Sequence, residues 1–260
     1  MSVLNASVQP IGISCLCRTY GRTSLLEESI QSFLFQDFPG PKELIILNDL
    51  DAQELRFSHP DVTIVNVTKR CPTLGEKCNA MVELARFDVL APWDDDDIYL
   101  PSRLSTSHAR LKDGFFKPRS AFFLQQDQII GIQENLFHAQ SMYEKALWEN
   151  VGGYPSTNVG EDTIFEKRLR TEFGSSPSDL LPSELFYIYR WRDVGHVSDT
   201  RTRDAGLDSY ESFDQYVRNR IETGEEPEGV VELRPAWRTD YLWKARLYNM
   251  GLGGLVRTSW

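Results

Sequence analysis

An apolar run, Val89-Leu90-Ala91-Pro92-Trp93, stops abruptly at four consecutive aspartates, Asp94, Asp95, Asp96 and Asp97. A stretch this apolar belongs in an interior, whereas adjacent carboxylates repel one another and raise each other's pKa. Both demands are met only if a buried strand delivers its carboxyl end to a polar edge of the molecule. Four carboxylates at the mouth of such a strand suggest a divalent cation held by oxygen ligands and shared with a phosphate-bearing substrate.

The same pattern recurs upstream. Residues 11–17 form an apolar strand, followed by a helix in which Ser24 and Glu27 have capping-box spacing and Leu26, Ile30, Phe33 and Leu34 recur at helical intervals. Phe38-Pro39-Gly40-Pro41 ends that helix. A second apolar strand at 44–47 stops at Asn48-Asp49, and a third spans 62–67. Thr73 and Glu76 repeat the capping spacing ahead of a helix with Leu74, Cys78, Met81, Val82 and Ala85 on one face. A β-α-β-β-α-β order with apolar strands predicts an α/β fold, a mostly parallel sheet with helices on both faces. Ligands of such sheets bind beyond the carboxyl ends of the strands, where Asp49 and the four aspartates both fall.

The second half is more mixed. The pattern predicts a hairpin from 121–124 and 128–132, a strand within 135–142, a short helix over 143–150 and a tight turn at Gly152-Gly153-Tyr154-Pro155. Gly160-Glu161-Asp162 opens a helix through Arg170 with Ile164, Phe165 and Leu169 inward. An aromatic strand at 185–191 and a helix near 209–221 burying Phe213, Val217 and Ile221 follow. Residues 222–228 have the composition of a linker. Beyond Arg234, basic residues alternate with Trp237, Tyr241, Trp243, Tyr248 and Trp260. The expected division is a domain over 1–222, in two halves at 9–104 and 105–222, then a basic-aromatic extension at 223–260.

The chain has 260 residues, 41% of them hydrophobic, enough for a sizeable core. A net charge of −10 argues against non-specific nucleic-acid binding by the whole molecule. The first residues lack a signal-peptide pattern, and no apolar run approaches the roughly 18 residues of a spanning helix. The expectation is a soluble, cytoplasmic protein. Cys15, Cys17, Cys71 and Cys78 are expected to be reduced and structural.

These segments resemble, in order, a nucleotide-sugar glycosyltransferase of the GT-A fold, family 2. The resemblance rests on Ser14-Cys15-Leu16-Cys17-Arg18-Thr19-Tyr20, Glu43-Leu44-Ile45-Ile46-Leu47-Asn48-Asp49 and Leu74-Gly75-Glu76-Lys77-Cys78-Asn79-Ala80. It continues through the four aspartates with Ile98-Tyr99-Leu100-Pro101-Ser102-Arg103-Leu104, then Gly152-Gly153-Tyr154 and Gly160-Glu161-Asp162, covering about residues 9 to 200.

The resemblance implies Thr19 and Tyr20 as base and ribose contacts, with Arg22 in the same loop. It makes Asp49 the acceptor of a uracil N3–H and puts Lys77 near base or phosphate, against the alternative of an exposed helix lysine. The aspartate run resembles the DXD motif, in the frame of Asp94 and Asp96 or of Asp95 and Asp97. Asp96 is then the direct ligand of Mn²⁺ or Mg²⁺, with Asp94 or Asp95 toward the ribose or a metal-bound water. Asp162 resembles the catalytic base, against the alternative of an ordinary N-cap.

His196 is a further implied metal or diphosphate ligand. His138 is a weaker one that could simply pack in its strand. Trp93 and Tyr99 either shape the acceptor site or pack in the core. The implied reaction is a metal-dependent, inverting transfer from a nucleotide-sugar, a UDP-sugar by preference, to a glycan, lipid-linked sugar, protein or modified nucleic acid. Two other classes compete: a non-catalytic nucleotide-sugar-binding protein, and a nucleotidyltransferase, which the glycine-poor loop Arg18-Thr19-Tyr20-Gly21-Arg22 disfavours.

Overall fold

The computed structural model describes residues 11–134, 138–174, 177–191 and 209–253. In chain order the elements are β1 (Ile13–Thr19), α1 (Thr23–Leu34), β2 (Lys42–Asn48), β3 (Gln53–Arg56), β4 (Val62–Asn66), α2 (Leu74–Leu84) and β5 (Val89–Asp94). Then come β6 (Ile98–Tyr99), α3 (Arg103–Ala109), β7 (Phe115–Phe116), β8 (Ser120–Gln125), β9 (Gln128–Glu134), β10 (Met142–Glu144) and α4 (Lys145–Asn150). The chain continues through α5 (Glu161–Phe173), β11 (Tyr187–Arg190), α6 (Ser209–Glu222), β12 (Gly229–Glu232) and α7 (Tyr241–Asn249).

The main sheet has the order β4-β2-β1-β5-β10-β7, with β4, β2, β1 and β5 mutually parallel and β10 antiparallel to both its neighbours. Its two faces bury different sets, as alternation along a strand requires. Ile13, Cys15 and Cys17 pack with Leu26, Ile30 and Phe33 of α1. Leu16, Ile45, Leu47 and Leu90 pack with Met81 and Val82 of α2 and Phe165 of α5. In register, Cys17 lies beside Trp93 and Arg18 beside Asp94, so β1 and β5 end together. A second sheet, β6-β11-β8-β9, stands beyond β5 and includes the expected hairpin as β8 and β9.

Several local expectations are corrected. Ser24 does not cap α1. The helix starts at Thr23 with Arg22 as N-cap, and the Thr23 N–H donates to Glu226 Oε1 at 2.9 Å. Glu226 lies in the expected linker, yet only 2% of it is exposed, and it also accepts from Gln53 Nε2 at 3.1 Å. The following strand β12 pairs in parallel with β3, and neither strand has the apolar run that would announce it. Thr73 does cap α2, accepting from the Glu76 N–H. Ile164 is 38% exposed instead of inward, because α5 begins after Gly160 and turns Glu161, Phe165 and Leu169 to the interior. Residues 138–140 form a 3-10 turn, and Tyr143 belongs to β10, so the helix there starts only at Lys145. The rest of that expected strand, 135–137, is outside the described residues. No helix among the described residues is long and apolar enough to cross a membrane.

Candidate active site

A cavity of about 400 Å³ opens at the carboxyl ends of the parallel strands. Thr19, Tyr20, Arg22, Asp49, Lys77, Asp94, Asp96 and Asp162 all line it. Among the described residues, oxygens of Asp94, Asp96 and Asp97 come within 4.8 Å of one another. Asp97 is anchored by the Arg190 N–H at 2.8 Å and by the Tyr187 hydroxyl. Tyr99 accepts the Asp94 N–H at 2.6 Å and fixes the turn into the run. Asp95 is not among the residues that line the cavity. It is fully buried, accepts from Thr19 Oγ1 at 2.6 Å and pairs with Arg22 at 2.5 Å, so it supports the floor. Arg22 also donates to Asp96 at 2.6 Å. Trp93 and Tyr99 are fully buried and stacked at 3.9 Å, away from the cavity wall.

The electrostatics suit a cation. Burial pushes the Asp94 carboxyl up and the Asp95 carboxyl up to about 6, while Asp97 is driven well above its usual range by burial and by Asp96 and Asp94. The cavity is lined by six carboxylates, Asp49, Asp94, Asp96, Asp97, Glu161 and Asp162, against Arg18, Arg22, Arg70 and Lys77. A hard divalent ion takes oxygen ligands, and the converging donors are all carboxylate oxygens, so the set fits Mg²⁺ or Mn²⁺.

At the opposite end, Lys77 is not an exposed helix lysine. It is 3% exposed, donates to the Thr19 carbonyl at 2.7 Å and pairs with Asp49. The second Asp49 oxygen accepts the Cys71 N–H at 2.9 Å. Tyr20 donates to Asp214 on α6, and the Arg70 guanidinium lies 4.4 Å from the Tyr20 ring and 3.4 Å from that of Tyr210. Sequence reasoning missed Arg70, Tyr210 and Asp214. Arg70 and Tyr210 are joined across 140 positions by a bond that no local pattern announces.

Asp162 sits in the first turn of α5 and is not its N-cap, which is Gly160 with φ 74°. Its Oδ1 accepts from the Thr163 N–H at 2.6 Å. Burial pushes the carboxyl up, but His138, Arg18 and Thr163 outweigh burial and hold it below the ordinary aspartate value. Arg18 bridges the two acidic motifs, donating to Glu161 at 2.9 Å and approaching Asp94 at 3.5 Å. An arginine inside an apolar strand was a usable signal for such a buried counter-charge. His138 lines the cavity, with Nδ1 2.8 Å from Glu166 and Nε2 2.7 Å from the Tyr154 hydroxyl. His196 lies outside the described residues.

The architecture is shared with solved glycosyltransferases. TarS of S. aureus in complex with UDP-GlcNAc matches with a TM-score of 0.55 at 13% identity, over 82% of this chain and 73% of that one. Mannosyltransferase PcManGT from Pyrobaculum calidifontis, in complex with GDP-Man and Mn²⁺, matches with a TM-score of 0.52 at 14% identity, over 83% and 70%. The fold is GT-A. No family model and no curated protein matches the chain. In GT-A terms, the DXD-like cluster ends β5 and Asp162 opens α5, and both border one cavity.

Proposed function

We propose that this protein is a metal-dependent, inverting glycosyltransferase that takes a sugar from a nucleoside-diphosphate sugar, by preference a UDP-sugar, to an acceptor hydroxyl. One observation carries the proposal: the carboxyl groups of Asp162, Asp94, Asp96 and Asp97 line a single cavity of ligand size. The acceptor hydroxyl gives its proton to Asp162. Its oxygen bonds to the anomeric carbon as the bond from that carbon to the diphosphate oxygen breaks, the electron pair leaving with the nucleotide. A single in-line displacement inverts the centre. Asp96 and Asp94, joined by Asp97, are the residues to hold Mg²⁺ or Mn²⁺, which when bound neutralises charge on the diphosphate. Asp49, held in place by Lys77 and the Cys71 N–H at the cavity wall, is the carboxylate to accept a uracil N3–H.

The test is a panel of UDP-, GDP- and dTDP-sugars with and without Mn²⁺, since the two similar structures hold donors with different bases. Metal-dependent binding or hydrolysis of at least one is expected, and none with any donor overturns the proposal. Asp162→Asn should keep donor binding and lower transfer by about 10²–10⁴-fold. Loss of donor binding instead would remove Asp162 from the role of base. Asp96→Ala should abolish metal-dependent donor binding, and unchanged binding would refute its role as ligand.

A further inference from the structure

The second sheet carries an aromatic row that the donor reading leaves unused. Gly131 on β9 stands opposite Phe123 on β8, and Phe123 opposite Tyr189 on β11. The β6–β11 register, carried one residue further, puts Asp97 next in the row. Trp191 shares this face two positions on from Tyr189. Phe123 and Tyr189 have ring centroids 5.5 Å apart, and Phe123 and Trp191 lie 5.9 Å apart and 26° from parallel.

The reverse face of the sheet is occupied by the C-terminal part of the chain. Phe122 meets Tyr248 there, and Arg190 bonds to Tyr241. The aromatic face keeps part of its ring surface exposed. Trp191 is 37% exposed, Phe123 and Tyr189 are half-buried, and a Cβ on Gly131 would meet no atom within 4 Å. By alternation along β9 from Gly131, Gln133 brings an amide to the same face. Tyr189 belongs to both surfaces, since it also lines the cavity.

We propose that this row is the acceptor subsite and that the acceptor is a saccharide; the word acceptor rests on the glycosyltransferase reading. A pyranose has a flat C–H face that packs on aromatic rings, and edge hydroxyls that suit planar amides. Among the described residues the row carries no Lys or Arg, the side chains that a polyanionic acceptor would need. The row crosses the interior of a paired sheet and does not follow a free strand edge, the feature that captures an extended peptide.

The experiment uses the full-length protein with Mn²⁺ and UDP, titrated with cellotetraose, chitotetraose and α-mannotetraose. Binding is followed by calorimetry and tryptophan fluorescence, alongside donor hydrolysis. At least one tetrasaccharide should bind. Trp191→Ala and Gly131→Leu should each weaken that binding about tenfold or more, Trp191→Phe should retain most of it, and donor hydrolysis should be unchanged in all three. The inference is overturned if the donor is hydrolysed normally but no tetrasaccharide binds. It is equally overturned if neither substitution affects binding, or if sugar is transferred only to peptide or lipid probes. Absence of donor hydrolysis in the unsubstituted protein counts instead against the glycosyltransferase reading, and the binding titration still decides whether the aromatic row takes saccharides.

Discussion

Behind the cavity wall, Lys117 Nζ lies 2.6 Å from both oxygens of Glu166, and Glu166 also meets His138. Lys117 is 1% exposed, so the pair has little water to fall back on. Glu166→Gln should therefore destabilise the protein by about 3–5 kcal/mol, measurable by urea unfolding. Burial pushes the Glu166 carboxyl up, but His138 and Lys117 outweigh it and hold it below the ordinary glutamate value. A lowered folded-state pKa stabilises above the unfolded value of about 4.3 and is lost as pH falls through the folded one. The deficit of Glu166→Gln should accordingly shrink below about pH 4, and a constant deficit would show that the carboxylate charge is not the cause. At this scale the sequence displays residues whose setting is local. Asp49, Asp96 and Asp162 each follow a strand end or open a helix, and all three line the cavity. Arg70 and Glu166 do not stand out, because what makes them notable is a partner far along the chain.

The start of α1 shows how one element depends on another. A helix N-terminus leaves N–H groups without partners, and here a buried glutamate from the 222–228 segment takes the place of a local cap. Glu226→Ala removes the acceptor for Thr23 and Gln53 and a carboxylate 3.5 Å from Arg220. It should cost about 1–3 kcal/mol. Hydrogen exchange should show the added opening in the first turn of α1, and protection equal to the parent protein would dismiss the cap. The strands β1, β2 and β5 can be identified from sequence because burial on both faces demands continuous apolar residues. Gln53-Glu54-Leu55-Arg56 cannot, since β3 lies in a two-stranded sheet and only every second residue is buried. The capping motif at Thr73 holds while that at Ser24 fails, although their spacing is the same. At α2 the distant acceptors Asn158 Oδ1 and the Thr157 carbonyl take the N–H groups of Leu74 and Gly75, which leaves the Glu76 N–H to Thr73.

On the scale of the molecule, the described part of the basic-aromatic segment packs into the core through Trp237, Tyr241, Ala245 and Tyr248, while Trp260 lies outside the described residues. Glu28 on α1 is 1% exposed and accepts from the Tyr241 hydroxyl at 2.8 Å and the Arg238 N–H at 2.9 Å, while Arg190 pairs with it at 2.9 Å. Trp237 donates to Ser32 at 2.9 Å. A chain ending at Leu233 loses the bonds from Trp237, Arg238 and Tyr241 and the burial of Tyr241 and Trp237, a loss on the order of 5 kcal/mol. Its melting temperature should fall by roughly 10–20 °C, and an unchanged melt would contradict this packing. The alternation of charge and aromatic side chains in that region was visible in the sequence, but not the surface it covers, which is assembled from α1 and the second sheet. The bond from Thr23 to Glu226 spans 203 positions. At a synthesis rate of about 5–20 residues per second, roughly 10–40 s separate the two residues on the ribosome. Throughout that interval α1 and the loop that carries Arg22 to the aspartates wait without their cap, so the cavity edge can be completed only after Glu226 has been synthesised.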